Sequence, residues 1–322
     1  MHALSITKKE ALEYAKWLAE GSYSGRRRDA VERGERLNPS SIRNHLKYAA
    51  LFYDYLRDVR GLATTNPFRV ANRTFTKQHR AHMHPDLRAL DEVEVASILE
   101  RAETLDDFTS VLALFKTGVR RDELVHMREE RIDWEARTIL LDAHPKRTFL
   151  KVYFDDELAW ALRLQVDQNH RLHPGNPYLW PSRRDDHQPI RAEQLNTRVR
   201  TMAQASSAFQ SVKDWRRGKD RVTAHTFRRA FTSILKTNGC PSHVVARLRG
   251  DSLTARSELI LDPTQGIYTK FGKKGGVDEL RHWYDKTMPT VGAREIWSRL
   301  APEPLHTRDI AALIRSASPR AG

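Results

Sequence analysis

The segment AHTFRRAFTSILKTNGCPSHVVARLRG, residues 224–250, decides how the chain is read. Phe227, Phe231 and Ile234 recur at steps of four and three, which predicts a helix with one buried face, and Asn238-Gly239 supplies residues that tolerate a helix stop. Ser242 opens a second helix and Gly250 closes it. On the first helix His225 and Arg228 stand three positions apart and share a face, so a proton donor or acceptor sits beside a fixed cation. The outline of helix, turn and helix is also that of a helix-turn-helix DNA reader, and this segment alone admits a catalytic or a purely binding role.

Upstream, Asp91 and Glu94 have the form of a capping pair for a helix carrying Val93, Val95, Ala96, Ile98 and Leu99. A further apolar helix from about Asp107 to Lys116 meets its terminator in Gly118, and Arg120 follows within TGVRRDE, residues 117–123, where a turning chain can point a side chain into a cleft. A short helix is expected around Glu123 to Met127. Two strand-like runs follow, Thr138 to Asp142 and Phe149 to Phe154, the second placing Leu150, Val152 and Phe154 on one face. The hairpin turn between them, Ala143 to Thr148, carries Lys146 beside Arg147, with Lys151 on the returning strand. Downstream, Gly266-Ile267-Tyr268 presents a phenolic hydroxyl. Two guanidiniums can grip the nonbridging oxygens of a phosphodiester, a tyrosine can form a covalent phosphoryl intermediate, and a lysine at a turn tip can deliver a proton to a leaving oxygen.

Composition agrees with a polyanionic partner. The 322 residues hold 55 Lys and Arg against 41 Asp and Glu, a net charge of +14, and 39% apolar residues suffice for a core in each of two domains. The single cysteine, Cys240, excludes an intramolecular disulfide and a cysteine zinc cluster, and fits a reducing cytosol. The N-terminus lacks an apolar run of signal-peptide length, and no stretch approaches the roughly 18 to 20 apolar residues of a bilayer span. Residues 1–85 are the most basic body, with 16 Lys and Arg against 8 Asp and Glu. Thr7 and Glu10 cap a first helix with Leu12, Ala15, Leu18 and Ala19; Pro39-Ser40-Ser41 opens a second with Ile42, Leu46, Ala49, Tyr53 and Leu56. Asn66-Pro67 is expected to end this unit and Arg69 to Pro85 to form a polar linker. Arg26, Arg27, Arg28, Arg43 and Lys47 are candidate DNA-backbone contacts, as are Arg216, Arg217 and Lys219 ahead of His225.

Together these elements resemble the tyrosine recombinase (phage integrase) family. The Thr117-Gly118-Val119-Arg120 and Glu123 pattern looks like its first-arginine motif, Ala224 to Arg229 like its His-x-x-Arg box, and Leu248-Arg249-Gly250 like the segment that follows. The resemblance implies a mainly α fold with a small antiparallel β-sheet. It places a helical core-binding domain with linker at residues 1–85, a mixed α+β catalytic domain at 86–290, and a tail at 291–322, with a short helix pattern around Ile310, Leu313 and Ile314, that packs either on a neighbouring subunit, as such tails often do in the family, or as an ordinary helix on its own domain. It further implies that Arg120 and Arg228 clamp a scissile phosphate, His225 assists proton transfer, Lys146 protonates the departing 5′ oxygen and Tyr268 attacks to give a 3′-phosphotyrosine. No metal and no cofactor are expected. The implied partners are double-stranded DNA and further copies of the chain, a tetramer on paired sites, in the cytoplasm on the nucleoid and away from membranes. Two readings stand beside it: a type IB-like topoisomerase sharing the chemistry, and a non-catalytic helix-turn-helix regulator, which would not need Tyr268 with both arginines.

Two positions depart from the family pattern. Asp251 stands where the family usually has His or Trp, and an ionised carboxylate accepts hydrogen bonds but donates none. Either that donor is dispensable or Asp251 plays another part, such as orienting an arginine. The distance in sequence from Asp251 to Tyr268 is longer than usual, which makes Tyr284, after His282-Trp283, the rival nucleophile.

Overall fold

The computed structural model describes residues 6–20, 37–62, 65–79, 89–143, 147–182, 184–185, 187–210, 221–251 and 276–301. The chain divides into two compact units, Met1–Leu87 and Arg88–Gly322.

In the first unit α1 (Lys8–Glu20) starts at the expected capping box: the Thr7 amide donates to Glu10 Oε2 at 2.7 Å, and the Glu10 amide donates to Thr7 Oγ1 at 3.3 Å. Helix α2 (Pro39–Asp58) is capped by Asn38 and buries Ile42, Leu46, Ala50, Tyr53 and Leu56, with Ala49 half-buried against the same core. The Asn66-Pro67 pair does not end the unit. It opens α3 (Pro67–Gln78), which takes up most of the stretch expected to be linker. Proline is at home in the first turn of a helix, where its missing N–H would have no partner anyway. Asn66 caps the helix through the Arg69 amide and also donates to Ala50 O at 2.7 Å and Asp54 Oδ1 at 2.8 Å, tying α3 to α2. Phe68, Ala71 and Phe75, spaced three and four apart, complete a three-helix core with Ala11, Ala15 and Leu18.

The second unit is built around α5 (Leu105–Thr117), which follows α4 (Glu92–Leu99) and its Asp91–Glu94 capping box. Phe108, Val111, Leu112, Ala113, Leu114 and Phe115 are all fully buried, so α5 is a central rather than a surface helix. It stops at Gly118, whose φ of 59° is left-handed, and a Cβ there would lie 2.5 Å from the Phe231 ring. Glycine is therefore required both by conformation and by space. Short α6 (Arg121–Val125) leads to a three-stranded antiparallel sheet, β1 (Ile132–Asp133), β2 (Thr138–Leu140) and β3 (Lys151–Tyr153), in that order. The expected hairpin is β2–β3, with Ile139 opposite Val152 and Leu140 opposite Lys151. Strand β1 had no signal of its own, being two residues long. Tyr153 is buried along with Val152 and Phe154, because both faces of β3 are covered.

Helices α7 (Asp156–Leu172) and α8 (Ala192–Ala205) precede the pair expected from residues 224–250, which is α9 (Ala224–Thr237) and α10 (Ser242–Leu248). Helix α9 buries Phe227, Phe231 and Ile234, with Phe231 closing over Gly118. Helices α11 (Gly276–Thr287) and α12 (Ala293–Leu300) end the described chain. Residues 291–301, the described start of the tail, pack on their own unit. Ala293 and Ile296 join its core, Trp297 sits 5.0 Å from the Phe108 ring, and Glu157 Oε1 accepts the Val291 and Ala293 amides at 3.2 and 2.6 Å. The helix pattern around Ile310, Leu313 and Ile314 lies outside the described residues. Among the described residues no helix is long and apolar enough to cross a membrane.

Candidate active site

The left-handed turn at Gly118 delivers Arg120 to the start of α6. There Glu123 holds it twice: the Arg120 amide donates to Glu123 Oε2 and the guanidinium Nη1 to Oε1, both at 2.8 Å. The carboxylate bridges the guanidinium and the main-chain N–H of the same residue, which ties the long side chain back to the helix start. Arg120 Nη2 reaches Asp251 Oδ1 at 3.3 Å.

Arg228 comes to the same oxygen from α9. It is 1% exposed, and its Nη2 donates to Asp251 Oδ1 at 2.7 Å and to Arg249 O at 3.1 Å, while Nη1 donates to Gly118 O at 2.6 Å. Burial, and then the neighbouring Arg249, pushes its pKa down to about 10, so it remains a cation at neutral pH. Gly118 is thus the pivot of the site, since its φ aims Arg120 and its carbonyl anchors Arg228.

His225 lies in the first turn of α9, one turn before Arg228. Its ring is exposed at that end yet partly desolvated; desolvation first, then Arg229, Arg228, Arg249 and Arg120, hold it below the ordinary histidine value. It is therefore neutral at neutral pH and able to accept a proton. Arg228 is buried while His225 is exposed, so the shared face runs from the interior to the surface.

The third wall is the turn after α10. Gly250 has φ 70°, and a Cβ on it would fall 2.6 Å from Arg147 Nε. Arg147, whose side chain is fully buried, threads beneath this turn, donating through Nη1 to Glu123 Oε2 at 3.0 Å and to Arg249 O at 3.1 Å, and through Nε to Phe149 O at 2.6 Å. Burial pulls its pKa below the usual arginine value. The Thr148 amide donates to Gly250 O and its hydroxyl to Asp251 O, both at 3.1 Å, so the hairpin is pinned to the arginine cluster. Asp251 Oδ2 also pairs with Arg249 Nε at 3.2 Å.

Of the residues expected at the site, the structure brings together Arg120, Arg228, His225 and Asp251. Lys146 and Tyr268 lie outside the described residues, as do Arg26, Arg27, Arg28, Arg216, Arg217 and Lys219. Arg43 and Lys47 stand one turn apart on α2, Arg43 half-buried and Lys47 exposed. The rival tyrosine, Tyr284, is 1% exposed and donates its hydroxyl to Lys116 O at 2.9 Å; burial raises its pKa well above the ordinary tyrosine value. In this arrangement the Tyr284 hydroxyl is committed to a main-chain carbonyl inside the core. Sequence reasoning gave no part to the Arg147 and Arg249 side chains, and the one signal was Gly250, whose turn both of them use.

A mainly helical unit with a small antiparallel sheet thus turns two arginines far apart in sequence onto one carboxylate oxygen, with a histidine in the first turn of the helix that carries the second. The chain belongs to the phage integrase family, which residues 88–252 match. Transposase B from transposon Tn554 of Staphylococcus aureus is 24% identical over 204 residues, covering 58% of this chain and 30% of the relative. Transposase B from PsiTn554 of the same organism is 23% identical over the same length. The chain thus spans about a third of the length of the curated relatives it matches. In fold it is similar to the Tn1549 transposon integrase, solved in complex with circular intermediate DNA, with a TM-score of 0.58 at 15% identity over 85% of this chain and 87% of that one. It is also similar to the lambda integrase dimer bound to a COC′ core site, with a TM-score of 0.51 at 16% identity over 77% and 80%.

Proposed function

We propose that this protein is a site-specific DNA recombinase that cleaves and rejoins strands through a covalent 3′-phosphotyrosine. The observation that carries the reading is the convergence of Arg120 and Arg228 on a single carboxylate oxygen, Asp251 Oδ1, which marks a position where an anion is held by two cations. In this reading the Tyr268 oxygen attacks the scissile phosphorus as the bond from phosphorus to the 5′ oxygen breaks. His225 takes the phenolic proton and Lys146 supplies a proton to the departing 5′ oxygen. The two guanidiniums stabilise the extra charge of the pentacoordinate phosphorane. Rejoining is the reverse, with a 5′ hydroxyl from the same or another strand attacking the phosphotyrosine. The Arg43 and Lys47 pair and the rest of the basic first unit bind the DNA backbone, and copies of the chain assemble on paired sites as a tetramer in the cytoplasm.

The test is incubation with nicked duplexes drawn from the DNA flanking the gene, followed by denaturation. A recombinase gives both covalent adduct and product joined between two duplexes. A topoisomerase gives adduct with resealing of the same strand only, and a regulator binds without adduct. Arg120→Ala and Arg228→Ala should each lower adduct formation by about 100-fold or more with little change in DNA affinity, since each removes a charge contact that strengthens in the transition state. Cleavage near the unmodified rate by either variant removes that arginine from the site.

A further inference from the structure

We propose that Arg249 is a third phosphate-facing cation and that Asp251 is the carboxylate that positions it; this rests on reading the site as one that holds a DNA phosphate. Asp251 gathers three guanidiniums, Arg228 and Arg120 on Oδ1 and Arg249 on Oδ2. The three contacts are not alike. Arg228 and Arg120 make hydrogen bonds to the carboxylate, whereas Arg249 Nε is buried, paired in charge at 3.2 Å, and has no hydrogen-bond partner among the described residues. Arg147 Nη2 in the same cluster is unmet as well, so the arginines hold donor capacity beyond what their carboxylates take up, and Arg249, whose side chain is partly exposed, is the one of the two that an incoming anion can reach.

The division of labour within Arg249 supports the same reading. Its main-chain carbonyl does the structural work, accepting from both Arg147 Nη1 and Arg228 Nη2. Its side chain, 27% exposed, is not needed to hold the turn and remains within reach of a ligand. Charge balance gives the side chain a purpose. The described cluster sets Arg120, Arg147 and Arg228 against Glu123 and Asp251, and Arg249 raises the net charge from one positive to two. A phosphodiester carries one negative charge and a phosphorane formed from it carries two. Asp251 would repel that charge unless a further cation outweighed it, and the cation it holds closest besides the two clamp arginines is Arg249.

The experiment uses a nicked duplex on which the unmodified protein forms adduct, made with either a normal scissile phosphate or a neutral methylphosphonate. Arg249→Ala should lower adduct formation on the phosphate by about 100-fold, and the deficit should shrink to a few-fold on the methylphosphonate, where no charge needs neutralising. Arg249→Lys, which restores the charge, should recover part of the rate. Asp251→Asn should lower the rate by about tenfold, again with the loss confined to the charged substrate. Asp251→His in the Arg249→Ala background, which puts an N–H donor where the carboxylate stood, should regain activity. Three results would overturn the proposal: an Arg249→Ala rate equal to the unmodified one; an equal deficit on both substrates, meaning a structural role; or faster cleavage by Asp251→Asn, meaning that Asp251 merely competes with the phosphate. If the unmodified protein forms no adduct on any flanking duplex, the recombinase reading itself fails, an outcome distinct from failure of the Arg249 assignment.

Discussion

Under the proposed function, Tyr268→Phe is expected to abolish the covalent adduct and leave DNA binding unchanged, and Tyr284→Phe to leave the adduct in place. The first substitution removes only the nucleophilic oxygen, so the loss should be complete within the sensitivity of a denaturing gel. The second removes a hydroxyl that donates to Lys116 O inside the core, with no path to a substrate. Its expected cost is in stability, about 1 kcal/mol for one net hydrogen bond. Electrophoresis of the denatured reaction and an unfolding curve for each variant check the pair together. Adduct from Tyr268→Phe, or its loss in Tyr284→Phe with folding intact, would reverse the assignment.

The second large effect is expected in stability. Lys116, fully buried at the end of α5, donates to Asp155 Oδ2 and Pro289 O and pairs in charge with Glu157 Oε2, each at 2.6 Å. These partners belong to the start of α7 and to the link between α11 and α12, so one side chain ties the central helix to two others. Lys116→Met keeps the apolar stem but leaves two carboxylates facing each other with no cation. Removing one member of a buried ion cluster in this way costs roughly 3 to 5 kcal/mol. For a unit of this size that lowers the melting temperature by on the order of 10 °C. A calorimetric scan measures it, and a shift within a degree or two of the unmodified protein would show the network to be dispensable. Glu157 also caps the Val291 and Ala293 amides, so proteolysis near residue 291 should increase in the same variant.

The parts of this architecture legible in the sequence are those with local causes. The Thr7–Glu10 and Asp91–Glu94 capping boxes, the glycine stops at Gly118 and Gly250, and the Phe227, Phe231, Ile234 stripe each follow from residues within one or two turns of each other. Asn66-Pro67 was misread because the same dipeptide closes one element and opens the next, and only the packing of Phe68, Ala71 and Phe75 on α1 and α2 decides between them. The site itself was half legible. Arg120, His225 and Arg228 sit in recognisable short patterns, whereas Arg147, Arg249 and Lys116 are lysines and arginines in a chain that holds 55 of them. Arg147 and Lys116 are set apart by burial and by partners from remote segments, and Arg249 by the remote arginines that its carbonyl receives, none of which local spacing encodes. Asp251 illustrates the limit well. An orienting role for it was one of two open choices, and the structure adds which cations it gathers.

The most direct measurement is protease digestion of the denatured protein–DNA adduct followed by mass spectrometry of the peptide that carries the nucleotide. The account predicts a single modified peptide spanning residues 257–270, between Arg256 and Lys270 after trypsin cleavage, with the 3′-phosphonucleotide on Tyr268 and none on Tyr284. A nucleotide on any other residue, or a cleaved strand bearing a free 3′ phosphate and no peptide, would contradict it.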